Sequence, residues 1–383
     1  MAREFAIFLY LLVFRVVFVF FKVFPQKEKT TFVASFGDNA LFTLQELEKH
    51  KEHPTIILKT EQCKVHYVPT STRTIIHFSP KRVFTWIKSI YHLATSRHIF
   101  VDNYYGFLAV TPFKKGTTCV QLWHAAGAVK QFGLKDQSNE HRSKKAFKRF
   151  KKVYNRFTHV VVGSDKMATI FEEGFDLPDE RMLRTGVPRT DFFFNERRIS
   201  AVRSLLQHDF AQIAGKKVLM YAPTYRDDAL EIDSIALDVD RLYEEFHEEY
   251  ILFLRLHPAV SGNLKNQYPE FIIDVSTYPN INHLLLITDV LISDYSSIPF
   301  EFSLLDKPMI FFAYDLDHYG ETRGFWDRYS HVVPGPIVET NDALIEVIQQ
   351  ENYDMDAIRT FREAWNTYST GESSKRLIEE IYT

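Results

Sequence analysis

Hydrophobic and polar positions alternate along the chain in two successive series of predicted strands and helices. After Pro25, short apolar runs that end in polar or glycine residues alternate with amphipathic segments. Such runs indicate buried strands, and apolar positions at i, i+3, i+4 and i+7 indicate helices. The first series predicts strands at 31–37, 55–60, 98–103, 118–123 and 159–164, with helices at 39–50, 81–94 and 165–174.

The rhythm begins again after a polar stretch at about 195–215. The second series predicts strands at 216–224, 250–258, 271–275, 289–294 and 308–314, with helices at 238–249, 297–305 and 341–350. Strands that alternate with helices are typical of a parallel sheet covered on both faces. We therefore expect an α/β fold of two Rossmann-like, doubly wound domains that face each other across a ligand-binding cleft.

The segment 4–25, EFAIFLYLLVFRVVFVFFKVFP, is long and apolar enough to cross a bilayer. Glu4, Arg15 and Lys22 fall on nearly one line of a helix, and a narrow polar stripe is typical of a helix that lies in the membrane interface. A spanning anchor with the body on the cytoplasmic side is the alternative. A signal peptide is disfavoured because no small-residue cleavage site follows.

The segment 141–157, HRSKKAFKRFKKVYNRF, predicts a basic amphipathic helix. It carries eight lysines and arginines and no acidic residue. Such a helix binds anionic lipid headgroups or a pyrophosphate-linked lipid. A surface helix whose phenylalanines pack inward explains the pattern equally well.

Composition excludes several classes of function. A chain of 383 residues, 45% hydrophobic, fits two domains, and a net charge of −3 offers no field for nucleic acid. Two cysteines provide no disulfide framework, which favours a reducing cytosol. No zinc-type cluster, P-loop or G-x-G-x-x-G is present, and the Asp-x-Asp pairs at 238–240, 315–317 and 354–356 are interpreted as chance. We therefore expect neither a metal nor a cofactor.

Candidate anion-binding residues lie where predicted strands of the second series end. In SDYSSIPFE, 293–301, Ser296 and Ser297 open a helix, and free amides with hydroxyl groups at such a position bind phosphate. Simple helix capping is the alternative. Glu301, one turn later, either accepts from ribose hydroxyls or lies in a solvated turn.

Three further stretches end strands in the same way. In RLHP, 255–258, Arg255 and His257 flank Leu256 and share one side of the strand, where they can neutralise phosphate charge. YAPTYR, 221–226, and GVPRTDFF, 186–193, add the remaining candidates, which are Thr224, Tyr225, Arg226 and Arg189. A structural ion pair is the alternative for each arginine.

A histidine closes a strand of the first series in QLWHAAGAVKQFG, 121–133. His124 is either a packed core imidazole or a general base, for which a pKa of about 6.5 is suitable. Trp123 precedes it, and the small residues Ala125, Ala126 and Gly127 are expected to leave open space for an acceptor.

Taken together and in this order, WHAAGAVK, GVPRTDFF, YAPTYR, RLHP and SDYSSIPFE resemble the CDP-glycerol glycerophosphotransferases of teichoic acid synthesis, over roughly 100–375. The resemblance implies a GT-B fold, His124 as general base and His257 as a second catalytic residue. It implies that the CDP-glycerol phosphates contact Arg255, His257, Ser296 and Ser297, and that Arg189, Thr224 and Glu301 occupy further donor positions. Leu256, Tyr225 and Arg226 are expected to bind substrate beside them.

Family polymerases carry His-Gly-Thr-Pro where this chain has His124 followed by Ala-Ala-Gly, a form similar to the primase branch. The resemblance then implies transfer of sn-glycerol 3-phosphate from CDP-glycerol to the ManNAc of undecaprenyl-diphosphate-linked ManNAc-GlcNAc, with release of CMP, on the cytoplasmic face of the cell membrane. Expected partners are CDP-glycerol, the lipid-linked acceptor, the membrane surface through residues 4–24 and 141–157, and other teichoic acid enzymes. Nucleic acid is not expected.

Four other functions stay open. The chain can be a glycerol phosphate polymerase, a GT-B glycosyltransferase that uses a nucleotide-sugar, a non-catalytic membrane adaptor or a nucleotide-sugar epimerase. For the glycerophosphotransferase we predict four segments: a membrane-associating helix (1–25), an acceptor domain (26–200), a CDP-glycerol-binding domain (201–365) and a C-terminal helix (366–383) that packs back on the N-terminal domain.

Overall fold

Buried apolar runs form the strands of two parallel sheets in the computed structural model, which describes residues 2–50, 52–226, 235–256 and 266–383. The first sheet has seven strands in the order β3-β2-β1-β4-β5-β6-β7, and every pairing in it is parallel. Its strands are β1 (Lys27–Ala34), β2 (Thr55–Lys59), β3 (Arg73–His77), β4 (Ser96–Val101), β5 (Thr118–Gln121), β6 (His159–Val161) and β7 (Met182–Leu183).

The second sheet has six strands, again all parallel, in the order β10-β9-β8-β11-β12-β13. Its strands are β8 (Lys217–Ala222), β9 (Tyr250–Leu254), β10 (Ile272–Asp274), β11 (Val290–Ser293), β12 (Met309–Phe312) and β13 (Ile337–Val338). In both sheets the strand order reverses beside a central strand, so the prediction of a doubly wound α/β fold is confirmed.

Helices connect the strands and cover the sheets. They are α1 (Ala2–Phe21), α2 (Asp38–His50), α3 (Val83–Thr95), α4 (Lys144–Tyr154), α5 (Asp165–Phe175), α6 (Glu196–Asp209), α7 (Val239–Phe246), α8 (Ile281–Leu285), α9 (Ile298–Phe302), α10 (Leu316–Arg323), α11 (Tyr329–Val332), α12 (Asn341–Gln350), α13 (Met355–Trp365) and α14 (Ser373–Tyr382). Short 3-10 turns lie at Gly106–Val110, Gly133–Lys135, Gln137–His141, Asp179–Arg181, Pro188–Phe194, Ala211–Ile213 and Ser303–Leu305.

The chain forms two compact units. Unit 1 contains the first sheet and consists of Met1–His124, Phe132–Asp191 and Thr367–Thr383. Unit 2 contains the second sheet and consists of Ala125–Gln131 and Phe192–Asn366. The chain therefore changes unit immediately after His124, and the segment 125–131 belongs to unit 2.

The core of unit 1 lies between its sheet and helices. Phe32 of β1 stacks on Phe100 of β4 at 5.0 Å between ring centroids, and Leu377 of α14 is fully buried in the same cluster. Both cysteines, Cys63 and Cys119, are buried in this unit and form no disulfide.

Helix α1 packs on unit 1 through one face only. Phe14 and Phe18 are fully buried, and Phe14 stacks on Phe107 at 4.9 Å between ring centroids. The opposite face exposes large apolar side chains, among them Phe8 and Val16, each 61% exposed. By length and composition, α1 is the one helix among the described residues that is able to cross a membrane.

Candidate active site

His124 lies between two aromatic rings at the carboxyl end of β5. Its imidazole stacks on Phe36, with 4.1 Å between ring centroids and 11° between ring planes. On its other side lies Trp123, with centroids 4.4 Å apart. Trp123 has a φ of 56°, which is an unusual, strained conformation for a bulky residue and turns the chain sharply after β5.

The environment of His124 lowers its pKa to about 4, chiefly because burial disfavours the charged imidazolium, and secondly because of the nearby charge of Arg189. A hydrogen bond with the backbone of Asp102 offsets part of this effect. The Nδ1 atom is buried and has no hydrogen-bond partner among the described residues. His124 is therefore a neutral imidazole at physiological pH and is suited to accept a proton.

A buried carboxylate holds the loop that carries Phe36. Asp102, immediately after β4, accepts hydrogen bonds from the backbone amides of Ser35, Phe36 and Gly37 at 2.7–3.1 Å. The hydroxyl of Tyr105 donates a fourth hydrogen bond at 2.8 Å. Because these three amides turn toward Asp102, strand β1 ends at Ala34, earlier than the predicted 37.

Asn39, in the first turn of α2, forms hydrogen bonds with two segments of unit 1 that carry candidate residues, namely Trp123–His124 and the turn at Arg189. Its Nδ2 donates to the carbonyl of Trp123 at 3.0 Å, and its Oδ1 accepts from the backbone amide of Arg189 at 2.9 Å. The side chain is buried. Asn39 therefore fixes the peptide next to His124 and the turn that carries Arg189.

The small residues after His124 are packed, and the expectation of open space beside them is wrong. Ala125, Ala126 and Gly127 are all buried within unit 2. A Cβ atom at Gly127 would lie 2.2 Å from the ring of Phe300, so this glycine is required for close packing on α9.

Glu301 lies on α9 with 1% of its surface exposed. It accepts a hydrogen bond from the backbone amide of Ala126 at 3.2 Å. The alternative of a solvated turn is therefore wrong for this residue. The helix expected at 297–305 is a single turn of α-helix at Ile298–Phe302 followed by a 3-10 turn.

Arg226 of unit 2 is held by two carboxylates. Its guanidinium donates to both oxygens of Asp315 at 2.7 and 3.0 Å and forms an ion pair with Asp294 at 2.9 Å. It also lies over the rings of Tyr295 and Tyr319. These contacts hold the side chain of Arg226 beside the carboxyl ends of β8 and β11.

Thr224 lies at the same place. Its amide donates to Asp294 at 2.8 Å, whereas its Oγ1 is buried with no hydrogen-bond partner among the described residues. Tyr225, 38% exposed, follows it. A buried hydroxyl group without a partner is a site at which a ligand oxygen can bind.

The remaining predicted donor residues close neighbouring strands. Arg255 donates to the carbonyls of Val275, Ser276 and Tyr278 at 2.6–2.8 Å, and burial lowers its pKa. Leu256 is buried. Ser296 and Ser297 are half-buried, and Ser296 accepts from the amide of Ile298 at 3.3 Å. His257 lies outside the described residues.

Phe36, Asn39, Asp102, Asp294 and Asp315 were not among the sequence candidates. Asp102 and Asp294 did carry a signal, since each is a carboxylate that ends a buried strand. Phe36 and Asn39 carried none, because Phe36 stacks on His124 and Asn39 bonds Trp123, both more than 80 positions away in sequence. Among the described residues, no three His, Cys, Asp or Glu side chains form a group suited to a metal ion.

Two doubly wound parallel sheets, with polar groups at the carboxyl ends of their strands, are typical of α/β proteins that bind ligands at those strand ends. The model of the CDP-glycerol:poly(glycerophosphate) glycerophosphotransferase family matches residues 16–383. The chain belongs to this family, and the predicted class of enzyme is confirmed.

The relatives cover most of the chain. It is 37% identical to a teichoic acid glycerol-phosphate primase of Bacillus subtilis, over 93% of this chain and 92% of that protein. It is 36% identical to the same enzyme of Bacillus spizizenii, over 92% of each. A teichoic acid poly(ribitol-phosphate) polymerase of Bacillus spizizenii is 39% identical, but over only 76% of this chain and 47% of the polymerase.

Solved structures confirm the fold. The wall teichoic acid polymerase TagF superposes with a TM-score of 0.81 at 24% identity, and the match covers 100% of this chain and 98% of the TagF chain. A UDP-GlcNAc 2-epimerase from Neisseria meningitidis bound to UDP-GlcNAc superposes with a TM-score of 0.59 at 15% identity. The match covers 92% of this chain and 98% of the epimerase chain.

Proposed function

We propose that this protein is a teichoic acid glycerol-phosphate primase. It transfers sn-glycerol 3-phosphate from CDP-glycerol to the ManNAc of undecaprenyl-diphosphate-linked ManNAc-GlcNAc and releases CMP. The similarity to two primases, over 92–93% of this chain and 92% of each primase, carries this proposal.

The chemistry is a direct phosphoryl transfer. The acceptor hydroxyl oxygen forms a bond to the β-phosphorus of CDP-glycerol while the bond from that phosphorus to the bridging oxygen breaks. The electron pair of the broken bond leaves with CMP. His124 takes the hydroxyl proton, which its neutral imidazole is able to accept at physiological pH.

The donor residues lie in unit 2. Arg255, Ser296 and Ser297 bind the phosphates, and the partnerless hydroxyl group of Thr224 binds a further ligand oxygen. His257 assists catalysis. Arg226 has a positioning role. Its ion pairs with Asp294 and Asp315 hold the turn 223–226, which carries Thr224, in place.

The protein acts at the cytoplasmic face of the cell membrane. Helix α1 supplies the membrane contact, because its exposed face is apolar while its other face is buried against unit 1. A helix with that arrangement lies in the plane of the interface.

One reaction tests the proposal. Purified protein is incubated with CDP-glycerol and a lipid-linked disaccharide analogue, and the product is analysed by mass. We expect the acceptor plus a single glycerol phosphate, together with CMP. CDP-ribitol and UDP-sugars serve as competing donors. Addition of several units, or transfer from another donor, would contradict the proposal.

The first prediction concerns the base. His124→Ala is expected to reduce transfer by about 10²–10⁴-fold, since that is the usual contribution of a general base. CDP-glycerol binding, measured by calorimetry, is expected to persist. His66→Ala, which removes an exposed imidazole from the same unit, is the matched control. If both variants keep full activity, His124 is not the base.

A further inference from the structure

Three adjoining cavities of unit 1 lead from Trp123 to the exposed face of α1. The first has a volume of about 240 Å³ and is lined by aromatic rings, including Trp123 and Phe132, and by Asp136 and Asn139. The Oδ1 of Asn139 is buried and has no hydrogen-bond partner among the described residues. Flat aromatic faces beside carboxylate and amide groups suit a sugar, which has apolar ring faces and polar edges.

The second cavity, of about 450 Å³, shares Tyr104, Arg142 and Phe150 with the first. Arg142 and Arg149 both line it. Arg142 donates to the hydroxyl oxygen of Ser138 at 3.0 Å and lies over the ring of Phe150. Arg3 lines the cavity as well, and three guanidinium groups in one cavity are typical of a site for phosphate groups.

The third cavity, of about 680 Å³, shares Leu11 and Arg149 with the second. One wall belongs to α1 and is apolar, with Phe5, Phe8, Leu11 and Leu12. The other wall carries cations, and the full set of cations in the cavity is Arg15, Lys145, Lys148, Arg149 and Lys152. Its one carboxylate is Glu4, which pairs with Arg149 at 3.4 Å.

The cations of α4 lie on one helical face. Lys145, Lys148, Arg149 and Lys152 follow the spacing i, i+3, i+4 and i+7, which places them on the side of α4 that borders the cavity. Lys144 and Lys151 belong to the same helix but not to the cavity lining, and Lys151 pairs with Asp176 at 2.8 Å. The basic charge of 141–157 is therefore divided between a cavity and the open surface.

We propose that these three cavities together bind one lipid-linked acceptor molecule. Its sugar occupies the aromatic cavity beside Trp123, its diphosphate lies among Arg142, Arg149 and the cationic face of α4, and the first part of its hydrocarbon chain lies along α1. The order of the cavities matches the order of sugar, diphosphate and lipid in such a molecule. This inference rests on the proposed function and names the subsite for its acceptor.

The experiment separates a specific diphosphate site from general attraction to an anionic bilayer. Lys148→Gln/Lys152→Gln removes two charges from the cavity, and Lys144→Gln/Lys151→Gln removes two charges from the open face of the same helix. Transfer is measured in neutral detergent, with an acceptor that carries a short alkyl diphosphate disaccharide. A second acceptor has the same alkyl disaccharide without the diphosphate.

We expect the cavity pair to raise the KM for the diphosphate acceptor by about 10- to 100-fold, as the loss of one or two charge-assisted contacts implies. The control pair is expected to stay within about twofold of the unchanged protein. With the acceptor that lacks diphosphate, both pairs are expected to match the unchanged protein. CDP-glycerol binding, measured by calorimetry, is expected to be equal in all three proteins.

Two results would overturn the inference and leave the proposed function intact. One is an equal effect of both pairs on the KM. The other is an effect that appears only when vesicles of phosphatidylglycerol are added, since the cations would then serve the bilayer surface. Failure of the unchanged protein to transfer glycerol phosphate to either acceptor would instead contradict the proposed function itself.

Discussion

The imidazole of His124 lies between the rings of Phe36 and Trp123, which cover its two faces. An imidazolium loses more hydration there than a neutral imidazole does, so protonation becomes unfavourable. Two features accompany this environment. The backbone of Trp123 is strained, and Asp102 holds the loop that carries Phe36. The His124 imidazole is therefore neutral under conditions in which an exposed histidine would be largely protonated.

The second prediction is a pH profile. Because the pKa of His124 is lowered to about 4, kcat/KM is expected to stay level as pH falls from about 8 to 5 and to decline only near pH 4. Phe36→Ala exposes the imidazole, so the decline is expected to move toward pH 6.5, the ordinary pKa of histidine. Phe84→Ala, at a residue 90% exposed, is the control. An unchanged profile in Phe36→Ala would contradict this account.

The third prediction concerns Asn39, a positioning residue. Asn39→Asp keeps an acceptor for the amide of Arg189 but cannot donate to the carbonyl of Trp123. We expect kcat to fall about 10- to 100-fold with unchanged CDP-glycerol affinity, and the free energy of unfolding to fall by about 1–3 kcal/mol. Steady-state kinetics measures kcat, and urea unfolding measures the free energy of unfolding. Asn155→Asp, at an exposed position, is expected to change neither, and an equal loss in that variant would refute the role of Asn39.

Among elements, α9 and the segment 125–131 depend on each other. Phe300 fills the space beside Gly127, and Glu301 accepts from Ala126. Phe300 also contacts Phe361 and Trp365 of α13, so its ring cannot easily move. Ala126 and Gly127 are therefore fixed by a well-packed part of unit 2.

The fourth prediction tests this packing. Gly127→Ala places a methyl group 2.2–2.5 Å from the ring of Phe300, so we expect a loss of about 1–3 kcal/mol in the free energy of unfolding. Phe300→Leu makes room, and the double variant is expected to be more stable than the sum of the single changes implies. Gly106→Ala, whose Cβ meets nothing closer than 4.0 Å, is the control. Strict additivity in urea unfolding would contradict the clash.

Most elements could be predicted because the buried strands are continuous apolar runs. Strand β2 was predicted at 55–60 and lies at Thr55–Lys59, and α12 was predicted with its exact limits, 341–350. Strand β3, Arg73–His77, was missed because it is a partly exposed edge strand with polar ends. Strand β13 was missed because it has only two residues.

At the scale of the molecule, the chain returns to unit 1 at its end. In α14, Leu377 and Ile378 are buried in the core beside α2. Asp191 accepts from the amides of Ser373 and Ser374, both at 2.8 Å, and so fixes the start of this helix. Residues 367–383 are therefore an integral part of unit 1.

The fifth prediction follows from this arrangement. Leu377→Ala removes a fully buried side chain, and we expect the free energy of unfolding to fall by about 2–5 kcal/mol. Glu379→Ala, on the exposed face of the same helix, is expected to change it by less than about 0.5 kcal/mol. Urea unfolding followed by circular dichroism measures both. Equal midpoints for the two variants would show that α14 contributes nothing to unit 1.

Local patterns predicted the two sheets, and they predicted that His124 and the other candidate residues follow the ends of strands. Both features depend on neighbours in sequence. Local patterns did not reveal the network of Phe36, Asn39 and Asp102, because hydrogen bonds and ring contacts between distant residues leave no periodic trace. They also assigned open space to Ala125, Ala126 and Gly127, because small side chains alone do not indicate what packs against them.

The two buried cysteines make this protein convenient for site-directed spectroscopy. Burial raises the pKa of Cys63 to about 11 and that of Cys119 to about 12, so neither thiol forms an appreciable thiolate near neutral pH. A cysteine introduced on the exposed face of α1, as in Val16→Cys, would therefore be labelled alone by a maleimide dye. The emission colour of such a dye reports local polarity, and hence the depth to which the helix enters a lipid layer.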